Sequence, residues 1–322
     1  MTVLITGAKG FIGQHLIPAL LQERDGPRSR IVAIDCLESV PDLLIPFFQV
    51  DLTDARDTEK IIRKLKPRRI YHLAGYTNSA RSFQEPARAI TENLAITINL
   101  LEAARRLKSS CRILMMSTIQ VYGDARGIIR EESRLNPKSP YAASKVMMEE
   151  AARYYQRNFG LDLIVARPGN QLGPGQSQEY VASGFAKQIV EIELGMRPAK
   201  LEVGNLQARR DFLDVRDSVQ GYVLLMQKAK SGETCNLAGG KNISIAELLD
   251  RMLALSRLER TRLKISVSRA RFRPEPEIEQ RISIARIKKL GFRPRISLDQ
   301  SLRDVLDYWR VKLSANILTA TR

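Results

Sequence analysis

Tyr141 and Lys145 stand four positions apart in Tyr141-Ala142-Ala143-Ser144-Lys145, at the start of a segment with helical periodicity. Residues spaced in this way share one helix face, so both side chains can reach one bound molecule. A free phenol has a pKa of roughly 10 and does little acid-base work near neutrality, but a neighbouring ammonium stabilises the phenolate and brings it closer to working pH. The same lysine can hydrogen-bond a cofactor ribose. Alone, such a pair is ordinary helix-surface chemistry. It gains weight from Ser117-Thr118, which ends the apolar run Arg112–Met116. The C-terminal edge of parallel strands is where open α/β sheets place their ligands, and a hydroxyl there can bind a substrate oxygen.

Strands alternating with helices would bring these residues together. The first half reads strand Thr2–Thr6, helix Phe11–Gln22, strand Arg30–Asp35, helix Arg56–Leu65 and strand Arg69–Leu73. A long helix at about Ala87–Leu107, strand Arg112–Ser117, helix Tyr141–Phe159 and strand Asp162–Ala166 follow. Short apolar runs alternating with 3.6-residue patterns predict an α/β fold, a Rossmann-type doubly wound parallel sheet with helices on both faces. Both halves of that sheet are accounted for by about residue 166, so 1–166 is expected to be a dinucleotide-binding domain to which about 206–240 returns. Residues 167–322 carry Pro- and Gly-rich loops, helices at Val181–Glu193, Ile245–Leu255 and Leu298–Arg310, a polar stretch at Arg269–Glu279 and a tail after Trp309 that reads as frayed. They predict a smaller, mixed α/β substrate domain.

Gly7-Ala8-Lys9-Gly10-Phe11-Ile12-Gly13 lies directly between the first strand and the first helix. Glycines there let the backbone turn tightly and approach a pyrophosphate at a helix N-terminus. Asp35 ends the second strand, twenty-two positions after Gly13. A carboxylate there accepts hydrogen bonds from an adenosine ribose and repels a 2′-phosphate, which favours NAD(H). Strand-end acids are also common turn formers, and Lys9 or Arg30 could tolerate the phosphate of NADP(H). Asp51-Leu52 is expected beside the adenine, although Asp51-Leu52-Thr53-Asp54 also suits a helix N-terminal cap.

The 322 residues, 44% hydrophobic, suffice for a full core. No apolar stretch approaches the eighteen or so residues that span a bilayer, and Val3-Leu4-Ile5 reads as a core strand, leaving no room for a signal peptide; a soluble cytosolic protein is expected. Cys36, Cys111 and Cys235, with two histidines, form no ligand-spaced set, so reduced thiols and no metal are expected. The net charge of +17 comes from arginines scattered along the chain, with few aromatic residues among them. That pattern fits a basic solvated surface rather than a nucleic-acid platform.

Together these residues resemble the extended short-chain dehydrogenase/reductase family, also called the NAD-dependent epimerase/dehydratase family. The likeness rests on the glycine triplet, Asp35, Asp51-Leu52, His72-Leu73-Ala74-Gly75, Asn93, Ser117-Thr118-x-x-Val121-Tyr122-Gly123 and Tyr141-x-x-x-Lys145. The resemblance implies that Tyr141 is the general acid/base, that Thr118 shares the substrate oxygen with it, and that Lys145 tunes Tyr141. It implies a cofactor site of Gly7, Gly10, Phe11, Ile12, Gly13, Asp35, Asp51, Leu52, Leu73, Ala74, Gly75, Asn93, Tyr141 and Lys145. Asn93 would order its surroundings, and His72 would position backbone rather than catalyse.

Arg167–Gln176, Phe185–Val190, Val203-Gly204-Asn205-Leu206 and Arg210–Asp217 are similar to the GDP-sugar branch of this family. That likeness implies a GDP-linked 4-keto-6-deoxy sugar as substrate, held by Thr118, Asn170, Lys187, Asn205, Arg210 and Arg273, and a homodimer formed through the two long helices. Arginines suit a diphosphate because they fork onto phosphate oxygens, although Arg210 could instead pair with Asp211 or Asp214. Dehydratases of the branch keep a carboxylate two positions after the catalytic threonine, where this chain has Gln120. A carboxamide is no general acid or base, so 4,6-dehydration is disfavoured and reduction at C4 is expected. A C4-epimerase with retained NAD is the enzymatic alternative, and a non-catalytic dinucleotide sensor stands further back because both Tyr141 and Lys145 are present. Gly169 and Gln171 replace a bulky Phe and a His common in the branch, which is expected to open the sugar pocket, and Pro276 stands in place of a glutamate, with Glu275 or Glu277 as possible substitutes.

Overall fold

The computed structural model of the chain describes residues 1–22, 30–38, 45–107, 110–260, 263–268 and 280–320, the side chains of 316–320 excepted. Arg273, Glu275, Pro276, Glu277 and the rest of the Arg269–Glu279 stretch all lie outside them.

Seven strands form one sheet in the order Thr234–Leu237, Asp162–Pro168, Arg112–Met116, Arg69–His72, Thr2–Thr6, Arg30–Asp35, Phe47–Gln49. Every pairing is parallel. The strands are apolar runs because helices cover both faces; Leu4, Ile5, Val32, Ile34, Ile70 and Ile113 lose all or nearly all contact with solvent. One face packs on the helices Phe11–Gln22 and Val215–Lys228, the other on Ala55–Leu65, Pro86–Arg105 and Pro140–Phe159. Strand order reverses between Thr2–Thr6 and Arg69–His72. The carboxyl ends of the strands there frame a crevice of the kind that holds dinucleotides in such sheets.

The sheet is not complete at residue 166, because Thr234–Leu237 pairs beside Asp162–Pro168 as its seventh strand. Leu213, Val219, Tyr222 and Leu237 share the core under the sheet. A separate core gathers the helices Val181–Glu193, Ile245–Leu255 and Leu298–Ala320 around Phe185, Ile189, Leu248, Leu306 and Trp309. The tail after Trp309, expected to fray, instead continues the last helix to Ala320. No Gly or Pro interrupts residues 310–320, and Leu313 is buried against the second core, so packing extends the helix. Among the described residues no helix is long and apolar enough to cross a membrane.

Candidate active site

The glycine loop is built for close approach. Gly7 adopts φ +64°, and a Cβ on it would lie 2.7 Å from the Ala74 nitrogen and 2.9 Å from the Leu73 carbonyl carbon. A Cβ on Gly13 would lie 2.3 Å from the Ala8 carbonyl oxygen, which seats the first helical turn on the loop. Helix Phe11–Gln22 has no acidic residue in its first turn, where unsatisfied amides favour an anion. Phe11 and Ile12 belong to that turn, and Gly10 donates its amide to the Gly7 carbonyl at 3.1 Å. The cradle therefore fits a dinucleotide pyrophosphate.

Asp35 is buried at the end of its strand and accepts hydrogen bonds from the amides of Lys9, at 3.0 Å, and Leu37, at 3.2 Å. It ties the glycine loop to the second strand. The Lys9 ammonium sits nearby on the Glu38 carbonyl. Asp51 closes an Asx turn by accepting from the Thr53 amide at 2.8 Å, whereas the cap of helix Ala55–Leu65 is Asp54. Leu52 is buried in the core next to it.

The candidate reaction centre sits at the same edge of the sheet. Ser139 caps helix Pro140–Phe159 by accepting from the Ala142 amide, and Pro140 fixes the first turn, so Tyr141 is set at the mouth of the helix. Its own amide donates to Ser82 Oγ at 3.2 Å. Thr118 caps the short helix Ile119–Tyr122 by accepting from the Gln120 amide, and its hydroxyl neighbours that of Tyr141. Burial raises the Tyr141 phenol well above its ordinary value, with Tyr180 adding to the rise and the Thr118 hydroxyl opposing it. Tyr141 thus holds its proton at neutral pH, the form needed to protonate a substrate oxygen. Lys145 Nζ lies 5.8 Å from the centroid of the Tyr141 ring. Burial brings its pKa down to about 8, against the opposing charge of Glu149.

Asn93 is fully buried and links three pieces of this region. It accepts from the Tyr76 amide at 2.7 Å, donates to the Tyr76 carbonyl at 3.1 Å and donates to Ser144 Oγ at 2.8 Å. It orders the centre rather than lining it. Gly75 comes so near that a Cβ there would sit 2.4 Å from Asn93 Oδ1 and 3.9 Å from Lys145 Nζ. His72 is buried, bonded through Nδ1 to Thr6 Oγ1 at 2.9 Å, and brought by burial to a pKa of about 3, so it stays neutral. Thr6 Oγ1 also accepts from the Ala74 amide, which fits a positioning role for His72.

Beside the centre lies a cavity of about 370 Å³, within the range of small-molecule sites. Asn170, Asn205 and Arg210 line it, together with Gln120 and Gln171. Asn170 donates to the Asp211 carbonyl at 3.2 Å, which binds the strands Asn170–Leu172 and Arg209–Asp214 together. Arg210 donates from Nη1 to the Arg209 carbonyl at 2.8 Å, while Asp211 accepts from the amides of Gly239 and Gly240, and Asp214 pairs with Arg216 at 2.8 Å. Lys187 does not line the cavity; its ammonium turns to Gln178 Oε1 at 2.5 Å and to Glu191 at 3.4 Å. Gly169 does not line it either. Its missing side chain would point at the Ala238 methyl and Ile119 Cδ1, 3.4 and 3.6 Å away, so the glycine relieves packing behind the pocket instead of opening it.

Sequence reasoning missed Tyr180 and Glu149. Tyr180 lines the cavity and acts electrostatically on Tyr141, but it lies in a loop whose path the sequence does not reveal. Glu149 did carry a signal, since Tyr141, Lys145 and Glu149 continue one i, i+4 series on a single helix face.

The family described as GDP-mannose 4,6 dehydratase matches residues 4–305. GDP-6-deoxy-D-mannose reductase of Pseudomonas aeruginosa is 32% identical over 316 residues, covering 97% of this chain and 98% of that protein. The structure of RMD from Pseudomonas aeruginosa complexed with NADPH superposes with a TM-score of 0.84 at 31% identity, covering 97% and 99% of the two chains. The Thermus thermophilus UDP-glucose 4-epimerase complex with NAD gives a TM-score of 0.83 at 26% identity, covering 96% and 99%. With its seven-stranded parallel sheet, glycine cradle and Thr118, Tyr141 and Lys145 at one edge, the chain belongs to the extended short-chain dehydrogenase/reductase family of NAD(P)-dependent nucleotide-sugar enzymes.

Proposed function

We propose that this protein is a nucleotide-sugar 4-ketoreductase that converts GDP-4-keto-6-deoxy-D-mannose to GDP-D-rhamnose with NAD(P)H. The observation that carries this reading is Gln120, a carboxamide lining the cavity two residues after Thr118, where 4,6-dehydration would require a carboxylate. Reduction needs only what the centre holds. When bound, the nicotinamide supplies the hydride for sugar C4. Thr118 and Tyr141 hold O4 through their hydroxyls, Tyr141 gives its proton to O4, and the Lys145 ammonium stabilises the phenolate left behind. Asn170, Asn205 and Arg210 hold the sugar and diphosphate, with Arg273 as a fourth candidate, and this remote binding orients C4. Asp35 favours NAD(H), and Lys9 at the same corner allows NADP(H), as in the NADPH-bound relative.

A C4-epimerase is the second reading, supported by the NAD-bound epimerase of the same fold. A test is simple. A reductase consumes added NADH or NADPH with the ketosugar and is purified without cofactor, whereas an epimerase is purified with NAD in place and consumes none.

The proposed division of labour gives 1–166 with about 206–240 to the cofactor and the rest of 167–322 to the nucleotide sugar. The proposed setting is the cytosol, in keeping with Cys36, Cys111 and Cys235 all unpaired. A homodimer is proposed through helices Pro86–Arg105 and Pro140–Phe159, which pack on each other and leave Met147, Tyr154 and Phe159 exposed. Sedimentation as a monomer at micromolar concentration would contradict it.

A further inference from the structure

The helix of the reaction centre carries a third charged residue that the proposed mechanism does not use. Glu149 is 1% exposed, and its carboxylate accepts four hydrogen bonds: from Ser117 Oγ at 2.5 Å, Arg167 Nε at 2.8 Å, Arg167 Nη2 at 2.6 Å and Arg153 Nη2 at 2.8 Å. Those contacts fill the four lone-pair positions of a carboxylate. Arg167, also 1% exposed, donates in addition from Nη1 to Tyr122 at 2.7 Å and to the Glu131 carbonyl at 2.9 Å, so four of its five N–H groups are bonded.

A buried ion pair is a poor route to stability, because removing two charges from water costs about what their attraction returns, and an apolar pair of equal volume does as well or better. Its position suggests what it is for. Ser117 immediately precedes Thr118 at a strand end, and Glu149 lies one helical turn beyond Lys145. We infer that Glu149, backed by Arg167, is a positioning residue for the reaction centre: one buried carboxylate locks the strand end that bears Thr118 onto the helix that bears Tyr141 and Lys145. The inference rests on the reading of those three residues as the catalytic set.

The carboxylate also supplies a field. Lys145 is desolvated, His72 faces it as a neutral imidazole from the neighbouring strand, and the Tyr141 phenol is uncharged. Glu149 acts on Lys145 as an opposing charge, and its partners Arg167 and Arg153 are both cations. Loss of the negative charge would leave three cations near one another and would discharge Lys145 at lower pH.

Two variants separate the roles. Ser117→Ala cuts the tie and leaves the charges in place; kcat/KM for the ketosugar is expected to fall about tenfold, with the dissociation constant for NADPH unchanged. Glu149→Gln keeps the size and removes the charge. Lysine Cε resonances, with Lys145 assigned through Lys145→Arg, report its titration in the ligand-free protein. The Lys145 midpoint is expected to drop by at least one pH unit in Glu149→Gln and to hold in Ser117→Ala. Ser117→Ala with kcat/KM within twofold of wild type, or a folded Glu149→Gln with an unmoved Lys145 midpoint, overturns the inference. Wild-type protein inactive on the ketosugar refutes the substrate reading alone, because the lysine titration needs no substrate. If Glu149→Gln does not fold, the kinetics of Ser117→Ala decide.

Discussion

Gly7→Ala tests whether the first turn is a cofactor cradle held against the sheet or only a loop. At φ +64° an alanine costs about 1–2 kcal/mol more than glycine. The added methyl would also stand 2.7 Å from the Ala74 nitrogen and 2.8 Å from its Cα, both backbone atoms at the end of the adjoining strand. Strands Thr2–Thr6 and Arg69–His72 are hydrogen-bonded neighbours in the sheet centre, so neither side can withdraw freely. Overpacking of this sort costs about 1–3 kcal/mol, for a total of about 2–5 kcal/mol. At roughly 2 °C per kcal/mol for a chain of this size, the melting temperature should fall by about 4–10 °C. Any relief obtained by lifting the turn moves the amides meant for the pyrophosphate, each such bond being worth about 1.5–3 kcal/mol, so NADPH should bind at least about tenfold more weakly. Thermal melts and fluorescence titration with NADPH read the two effects. A variant with wild-type melting and wild-type NADPH affinity would refute the reasoning.

Other perturbations address the buried charges. Arg167→Met leaves Glu149 buried with only Ser117 and Arg153, at an expected cost of about 3–5 kcal/mol, whereas Arg167→Met/Glu149→Leu should recover most of it; denaturant unfolding in which the double variant is no more stable than the single contradicts this. Asp211 is buried and its pKa is raised from 3.8 to about 6 by desolvation, so the folded state holds the proton more tightly than the unfolded one. Its contribution to stability therefore declines by about 3 kcal/mol as pH rises from about 4 to about 6. The stability of wild type relative to Asp211→Asn should fall across that window, and parallel pH curves for the two proteins would exclude the effect.

Much of the fold was legible because the sheet is parallel and covered on both faces. Its strands are short apolar runs and its helices are periodic, so helix Phe11–Gln22 and strand Arg30–Asp35 follow from pattern alone. The placement of Tyr141, Lys145 and Thr118 was legible for a related reason: local rules put one pair on a helix face and the hydroxyl at a strand end. What pattern could not supply is the direction of side chains in the second half. Lys187 bonds to Gln178 and Glu191 instead of lining the cavity itself, and Gly169 faces Ala238, because helix rotation and strand pitch there depend on packing with residues far away in sequence. The frayed tail was a misreading of the same origin, since burial of Leu313 decides it and no local signal announces that contact. The i, i+4 series puts Glu149 on the same helix face as Tyr141 and Lys145 but does not show what it bonds. Only Ser117 and Arg167, 32 and 18 residues distant, make it part of the centre.

The central claim is hydride transfer to sugar C4 with Tyr141 as proton donor. The most direct test supplies [4-²H]NADPH of each C4 stereochemistry, or the corresponding NADH, with GDP-4-keto-6-deoxy-D-mannose and locates the label by NMR. The account predicts deuterium at C4 of GDP-D-rhamnose from one cofactor face in wild type, and a rate at least about a hundredfold lower in Tyr141→Phe, the low end of general acid catalysis. Absence of label at C4, or equal rates for wild type and Tyr141→Phe, would contradict it.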